Sequence, residues 1–141
     1  MRGMLKAGAA VPEEVWVHDH HHENVQALQE EYPGVHEAAS EADAADAVEV
    51  LILAVKPHGV LPLISSLSER GAELPLLISI AAAVSLDDME ACAIDGTRII
   101  RAMPNTPCMV LAGVIAYSTG NGVKDEDEEA ARMLLSGCGS V

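Results

Sequence analysis

Apolar and polar positions along this chain come in blocks more than in strict alternation. Val48–Val55 (VEVLILAV) is apolar apart from Glu49, and residues 75–82 (PLLISIAA) form a second such run. Continuous apolar runs of this length fit strands covered on both faces. A third strand is predicted over 97–104 (TRIIRAMP), and a fourth over 110–119 (VLAGVIAYST), interrupted by Gly113. A short one is predicted over 14–18 (EVWVH). Helical patterns lie between them. Residues 2–7 read as the end of a helix closed by Gly8. Over 22–32, Val25, Leu28 and Tyr32 share one helical face, and Pro33-Gly34 makes a turn. Residues 39–47 predict a short acidic helix, and 57–69 a helix with Pro57 in its first turn. Ser85 is the N-cap of a helix over 85–93, with acidic residues in its first turn. A last helix over 124–139 has an acidic start and a glycine-rich end. Strand alternating with helix, with doubly covered strands, predicts an α/β fold built on a parallel sheet. No internal repeat or linker interrupts it, so one domain is expected over 1–141.

Composition narrows the picture. Half of the 141 residues are apolar, yet only 2% are aromatic and Phe is absent, so Ala, Val, Leu, Ile and Met must fill the core. Eight Lys+Arg against 22 Asp+Glu give a net charge of −14. That balance argues against nucleic acid or an anionic membrane as partner, because both need a basic face. An anionic ligand is compatible only where backbone amides and a few placed cations hold it locally. The acidic stretch 125–129 reads as a solvated helix start. Cys92, Cys108 and Cys138 form no C-x-x-C pair and are odd in number, the usage of free thiols in a reducing compartment. No apolar run reaches the roughly 18–20 residues of a membrane span, and the first 15 residues lack a signal-peptide core. A cytoplasmic protein is expected, with an organelle address left open.

In open parallel sheets, ligands bind beyond the carboxyl ends of the strands. Four segments qualify: AVKPHG after the 48–55 strand, IAAAVS after 75–80, MPNTPCM after 97–103 and HDHHH after 14–18. Lys56 is either a solvated charge or a cation beside a bound phosphate, ribose or nicotinamide. The small residues of IAAA suit core packing or the close approach of a flat ligand. Pro104 and Pro107 stiffen the backbone around Asn105 and Thr106, which present an amide and a hydroxyl to a polar ligand or build an Asx-type turn. In HDHHH, His18 and His20 would share a face on a strand, as metal ligands do. The segment is a turn, however, and no Cys or carboxylate cluster has convergent spacing nearby. A solvated loop is the expected reading, with no metal.

Taken together and in order, VLILAVKPHGVLPLI, LLISIAAAVSLDDME, RIIRAMPNTPCMVLAGVIAYS and EDEEAARMLLSGCGSV resemble the amino-terminal NAD(P)-binding domain of the pyrroline-5-carboxylate reductase family. The resemblance runs from about Val11 to Val141 and is most specific over 48–119. It implies an incomplete Rossmann-type parallel sheet with helices on both faces. It also implies reduction of 1-pyrroline-5-carboxylate to L-proline, a step of proline biosynthesis, with hydride from NADPH or NADH. By motif, Ala54, Val55, Lys56 and Pro57, followed by Ile80, Ala81 and Ala82, would line the ribose and nicotinamide side of the cofactor. Asn105 and Thr106 would sit beside the nicotinamide. His20 falls near the position that reads the adenosine ribose. Asp19 favours a free 2′-hydroxyl there, while the histidines suit a 2′-phosphate, so the choice between the two cofactors stays open.

Three departures from the family shape the expectation. The strand and glycine-rich turn that open the family domain have no counterpart here. The helical domain that supplies its dimer interface and most substrate contacts has none either. Ala83 stands where the family has a glycine after AA, at a cost of about 1 kcal/mol if φ there is positive. The cofactor carries the hydride chemistry, so no catalytic acid is assigned. Expected therefore is a reductase-like fragment, weak or inactive alone, whose full-length relatives oligomerise. The alternatives are a non-catalytic dinucleotide-binding or partner-binding module, and a related hydroxyacid or imine reductase, which AVKP and MPNTP disfavour.

Overall fold

The computed structural model describes residues 1–105 and 113–141. Helices start where side chains can satisfy the first free amides. The Ser40 hydroxyl accepts the Asp43 N–H at 3.1 Å and opens α3 (Glu41–Asp46). Ser85 does the same for Asp88 at 3.0 Å and opens α5 (Leu86–Cys92). Pro57, which has no N–H to satisfy, is the first residue of α4 (Pro57–Ser68), with Lys56 as its cap. The remaining helices are α1 (Arg2–Lys6), α2 (His22–Glu31) and α6 (Asp125–Ser136). Gly8, at φ 70°, turns the chain away after α1 as expected of a C-terminal glycine.

Strands β3 (Val50–Leu53), β4 (Leu76–Ser79), β5 (Ile99–Pro104), β6 (Gly113–Thr119) and β7 (Gly139–Ser140) form a five-stranded sheet in that order. The three strands β3, β4 and β5 run parallel, joined by α4 and α5 as crossovers. β6 turns back antiparallel on β5, since no crossover helix lies between them among the described residues, and β7 pairs parallel with β6. Alternate side chains of the sheet feed two cores. Leu77 and Ile99 pack with Val60, Ile64 and Leu67 of α4 and Met89 of α5. Leu76, Ile78 and Ile100 face the other way, onto Met4 of α1 and Ala131 and Leu135 of α6. Helices thus cover both faces. Each fully buried Leu or Ile contributes roughly 1.5–3 kcal/mol relative to exposure, which makes β4, buried at all four positions, the anchor of the fold.

A separate two-stranded parallel sheet pairs β1 (Trp16–Val17) with β2 (His36–Glu37). A third small core of Leu5, Val15, Leu28 and Val35 holds it to α1 and α2. β1 shares no ladder with β3, so the two sheets are separate.

Two expectations need correction. The 48–55 run packs on both faces, Leu51 and Leu53 towards one core and Val50 and Ile52 towards the other, but it is not buried along its length. Val50, Leu51 and Ile52 are half-buried, and only Leu53 is buried, because β3 has a partner on one side only. The 125–129 stretch is not uniformly solvated. Asp127 is buried, pairs with Arg98 at 2.7 Å and accepts the Lys124 N–H at 3.0 Å. β2 and β7, at two residues each, were not predicted. Residues 110–112 of the predicted fourth strand lie outside the described residues. No helix among the described residues is long and apolar enough to cross a membrane. Cys92 and Cys138 are free thiols, and Cys108 lies outside the described residues.

Candidate functional site

Because β3, β4 and β5 are parallel and in register, their carboxyl ends share one edge of the sheet. Leu53 pairs with Ser79, and Ser79 with Arg101. The segments just beyond those residues are therefore neighbours, and they hold the residues singled out by sequence. Ala54, Val55, Lys56 and Pro57 leave β3 and are all exposed. Ile80, Ala81 and Ala82 leave β4 as half-buried, buried and exposed residues. Asn105, exposed, follows β5, and its side-chain oxygen accepts the Val114 N–H of β6 at 3.0 Å. Thr106 lies outside the described residues.

Two residues that sequence reasoning passed over shape this edge. Ser79 is fully buried, and its hydroxyl accepts the Ala81 N–H at 3.4 Å, tightening the turn after β4. Arg101 donates from Nε to the Val84 carbonyl at 2.8 Å and lies against the Met103 sulfur. It ties the far end of the same turn to β5. Between them Ala83 adopts φ 60°, so alanine occupies a left-handed position that favours glycine. The signals were a lone serine in LLIS and a lone arginine in RIIRAMP, both polar residues inside apolar runs. Lys56 makes no ion pair among the described residues, so its ammonium is available to an anionic ligand. Ala83, Val84, Ser85, Leu86, Arg101 and Ser118 line a shallow depression at this edge.

A second depression lies beside β1, lined in part by Arg2, Val17, Asp19 and Asn24. The Asp19 carboxylate accepts the His21 N–H at 2.8 Å and the Asn24 side-chain amide at 2.9 Å. These two bonds, that from His21 first, hold its pKa below the ordinary carboxylate value. His20 stands in this turn, exposed.

An open parallel core with helices on both faces and small-residue turns at one carboxyl edge defines a Rossmann-type α/β domain. Residues 1–83 match the family described as NADP oxidoreductase, coenzyme F420-dependent, and the chain belongs to that family. It is 39% identical over 130 residues to the pyrroline-5-carboxylate reductase of Synechocystis, covering 92% of this chain and 48% of that protein. The structure of a pyrroline-5-carboxylate reductase from Coxiella burnetii superposes with a TM-score of 0.89 at 28% identity, over 99% of this chain and 53% of that one. The Plasmodium falciparum pyrroline carboxylate reductase with NADP bound has the same fold, with a TM-score of 0.83 at 22% identity over 98% of this chain and 49% of its own. The chain spans about half the length of the curated relatives it matches.

Proposed function

We propose that this chain is the dinucleotide-binding part of a pyrroline-5-carboxylate reductase. It would hold NADPH or NADH along the carboxyl edge of β3, β4 and β5. The observation that carries the reading is the convergence of the AVKP, IAA and PN segments on that edge, in a chain whose relatives bear that enzyme's name. The residues present fit such a ligand. Ala81 and Ala82 leave room for a flat ring, and the exposed Lys56, without an ion pair among the described residues, suits a phosphate or ribose oxygen. Ala54, Val55 and Pro57 supply the wall beside Lys56, and Ile80 an apolar backing. Asn105 would lie on the nicotinamide side, and Thr106, expected beside it by motif, is outside the described residues. When bound, the reduced nicotinamide supplies a hydride to the imine carbon of 1-pyrroline-5-carboxylate. With the substrate nitrogen already protonated as the iminium, hydride addition at that carbon would give the amine of L-proline without a further proton from the protein. The chain's own residues bind and orient the cofactor. Contacts to the substrate and subunit association belong, in this reading, to the half of the relatives that this chain does not span.

The test is a fluorescence titration of the chain with NADPH, followed by NADPH oxidation with 1-pyrroline-5-carboxylate. Saturable binding is expected, weakened roughly tenfold in Lys56→Ala, the equivalent of one charge-assisted hydrogen bond of about 1.5 kcal/mol. Turnover by the chain alone is expected to be slight. Absence of binding would overturn the reading. Binding that never yields turnover, even with the remaining half of a relative supplied, would favour a non-catalytic dinucleotide-binding module.

A further inference from the structure

The turn after β1, whose His20 the family resemblance places near the adenosine ribose, contains a group of side chains that the proposed site along β3, β4 and β5 does not use. His18 follows β1 directly, and its ring is mostly covered, 20% exposed. Its Nδ1 lies 3.1 Å from the Ala38 carbonyl oxygen. A carbonyl only accepts, so this contact places the proton on Nδ1 and leaves the Nε2 lone pair free. That Nε2 points at Glu41 Oε1, 3.6 Å away. His20 Nε2 lies at the same 3.6 Å from the same oxygen. All three ligand atoms fall within 4.8 Å of one another, and the two rings meet edge-on at 87°.

These distances exceed the roughly 2.7–3.2 Å of a direct hydrogen bond. They are close to the separation of about 3.3 Å expected between two ligands at 2.0–2.1 Å on one tetrahedral zinc ion. The histidine nitrogens and the Glu41 oxygen converge at ion-pair distance without a direct hydrogen bond. Their supports are also those of a metal site. The Nδ1–H···O=C bond of His18 is the partner that orients a ligating imidazole. Glu41 is the first residue of α3, whose start is fixed by the Ser40 cap. Neighbouring groups are engaged elsewhere, Asp19 by His21 and Asn24, and His22 by Glu37. A chain of net charge −14 draws cations.

We propose that His18, His20 and Glu41 bind a divalent ion of the zinc type, with a fourth position open to water. Bound there, the ion ties the β1 turn to the start of α3. The proposal stands independently of the nucleotide reading.

The test is calorimetric titration of zinc chloride into the metal-free full chain at neutral pH. One equivalent is expected to bind. His20→Ala, at an exposed position, and Glu41→Gln, at a half-buried one, should each weaken binding by more than about tenfold. The double variant His21→Ala/His22→Ala should leave it nearly unchanged. Zinc should also raise the melting temperature of the unaltered chain but not of Glu41→Gln, because an ion bound only to the folded state stabilises it. Circular dichroism of each variant separates lost ligands from lost fold. The proposal is overturned if no binding occurs, if His20→Ala and Glu41→Gln bind as well as the unaltered chain, or if the His21/His22 variant is the one that loses zinc.

Discussion

Ala83 sits at φ 60° between Val84, whose carbonyl Arg101 holds, and the buried end of β4. An L-residue pays about 1–2 kcal/mol in that conformation, and glycine pays none but frees the unfolded chain by about 0.4–1 kcal/mol. Ala83→Gly should therefore raise stability by about 0.5–1 kcal/mol, read as a higher urea midpoint at unchanged slope. A lower midpoint would show that the turn carries no strain. The sequence identified this position, and the structure supplied the sign of φ. Asp127 shows the opposite case. Within KDEDEE nothing distinguishes it from its neighbours, yet it alone of 125–129 is buried, against Arg98 of a segment far away in sequence. Replacing Arg98 by Met leaves a buried carboxylate without its cation and should cost about 2–4 kcal/mol in denaturant unfolding. A loss within about 0.5 kcal/mol, the size of an ordinary surface change, would mean that water compensates the charge.

At the scale of elements, long patterned segments were legible and short ones were not. β4 and β5, α4 and both serine-capped helices follow from apolar runs and caps. β2 and β7 have two residues each, too few for any period to register. β3 and β4 carry nearly the same apolar text, but only β4 has neighbours on both sides, so their difference in burial is tertiary. β7 exists because Gly139 lets two backbones meet. A Cβ there would lie 2.1 Å from the Gly113 carbonyl oxygen, and φ is 150°. Gly139→Ala should detach β7 from β6, exposing the Gly113 amide that now donates to the Cys138 carbonyl. Hydrogen exchange should then quicken at Gly113, while Val114, whose amide donates to Asn105, and Ile78 and Ile100 stay protected. Unchanged protection at Gly113 would contradict the close-packing argument.

For the whole molecule, the parallel direction of β3, β4 and β5 does the gathering. Three segments separated in sequence by about twenty residues each reach one edge because every crossover returns the chain to the same end of the sheet. That much was legible, since it needs only strand order and motif. The site's supports were not, because Ser79 and Arg101 act through bonds that no spacing announces. The histidine turn was read as solvent-facing for the same reason, as Glu41 arrives from another element. The central claim is that a dinucleotide lies along that edge. An amide chemical-shift map of the full chain during NADPH titration tests it most directly. The largest shifts are expected at Ala54, Val55, Lys56, Ile80, Ala81, Ala82 and Asn105. Shifts confined to the opposite edge, at Val50, Leu76 and Ile99, or no saturable shifts at all, would contradict it.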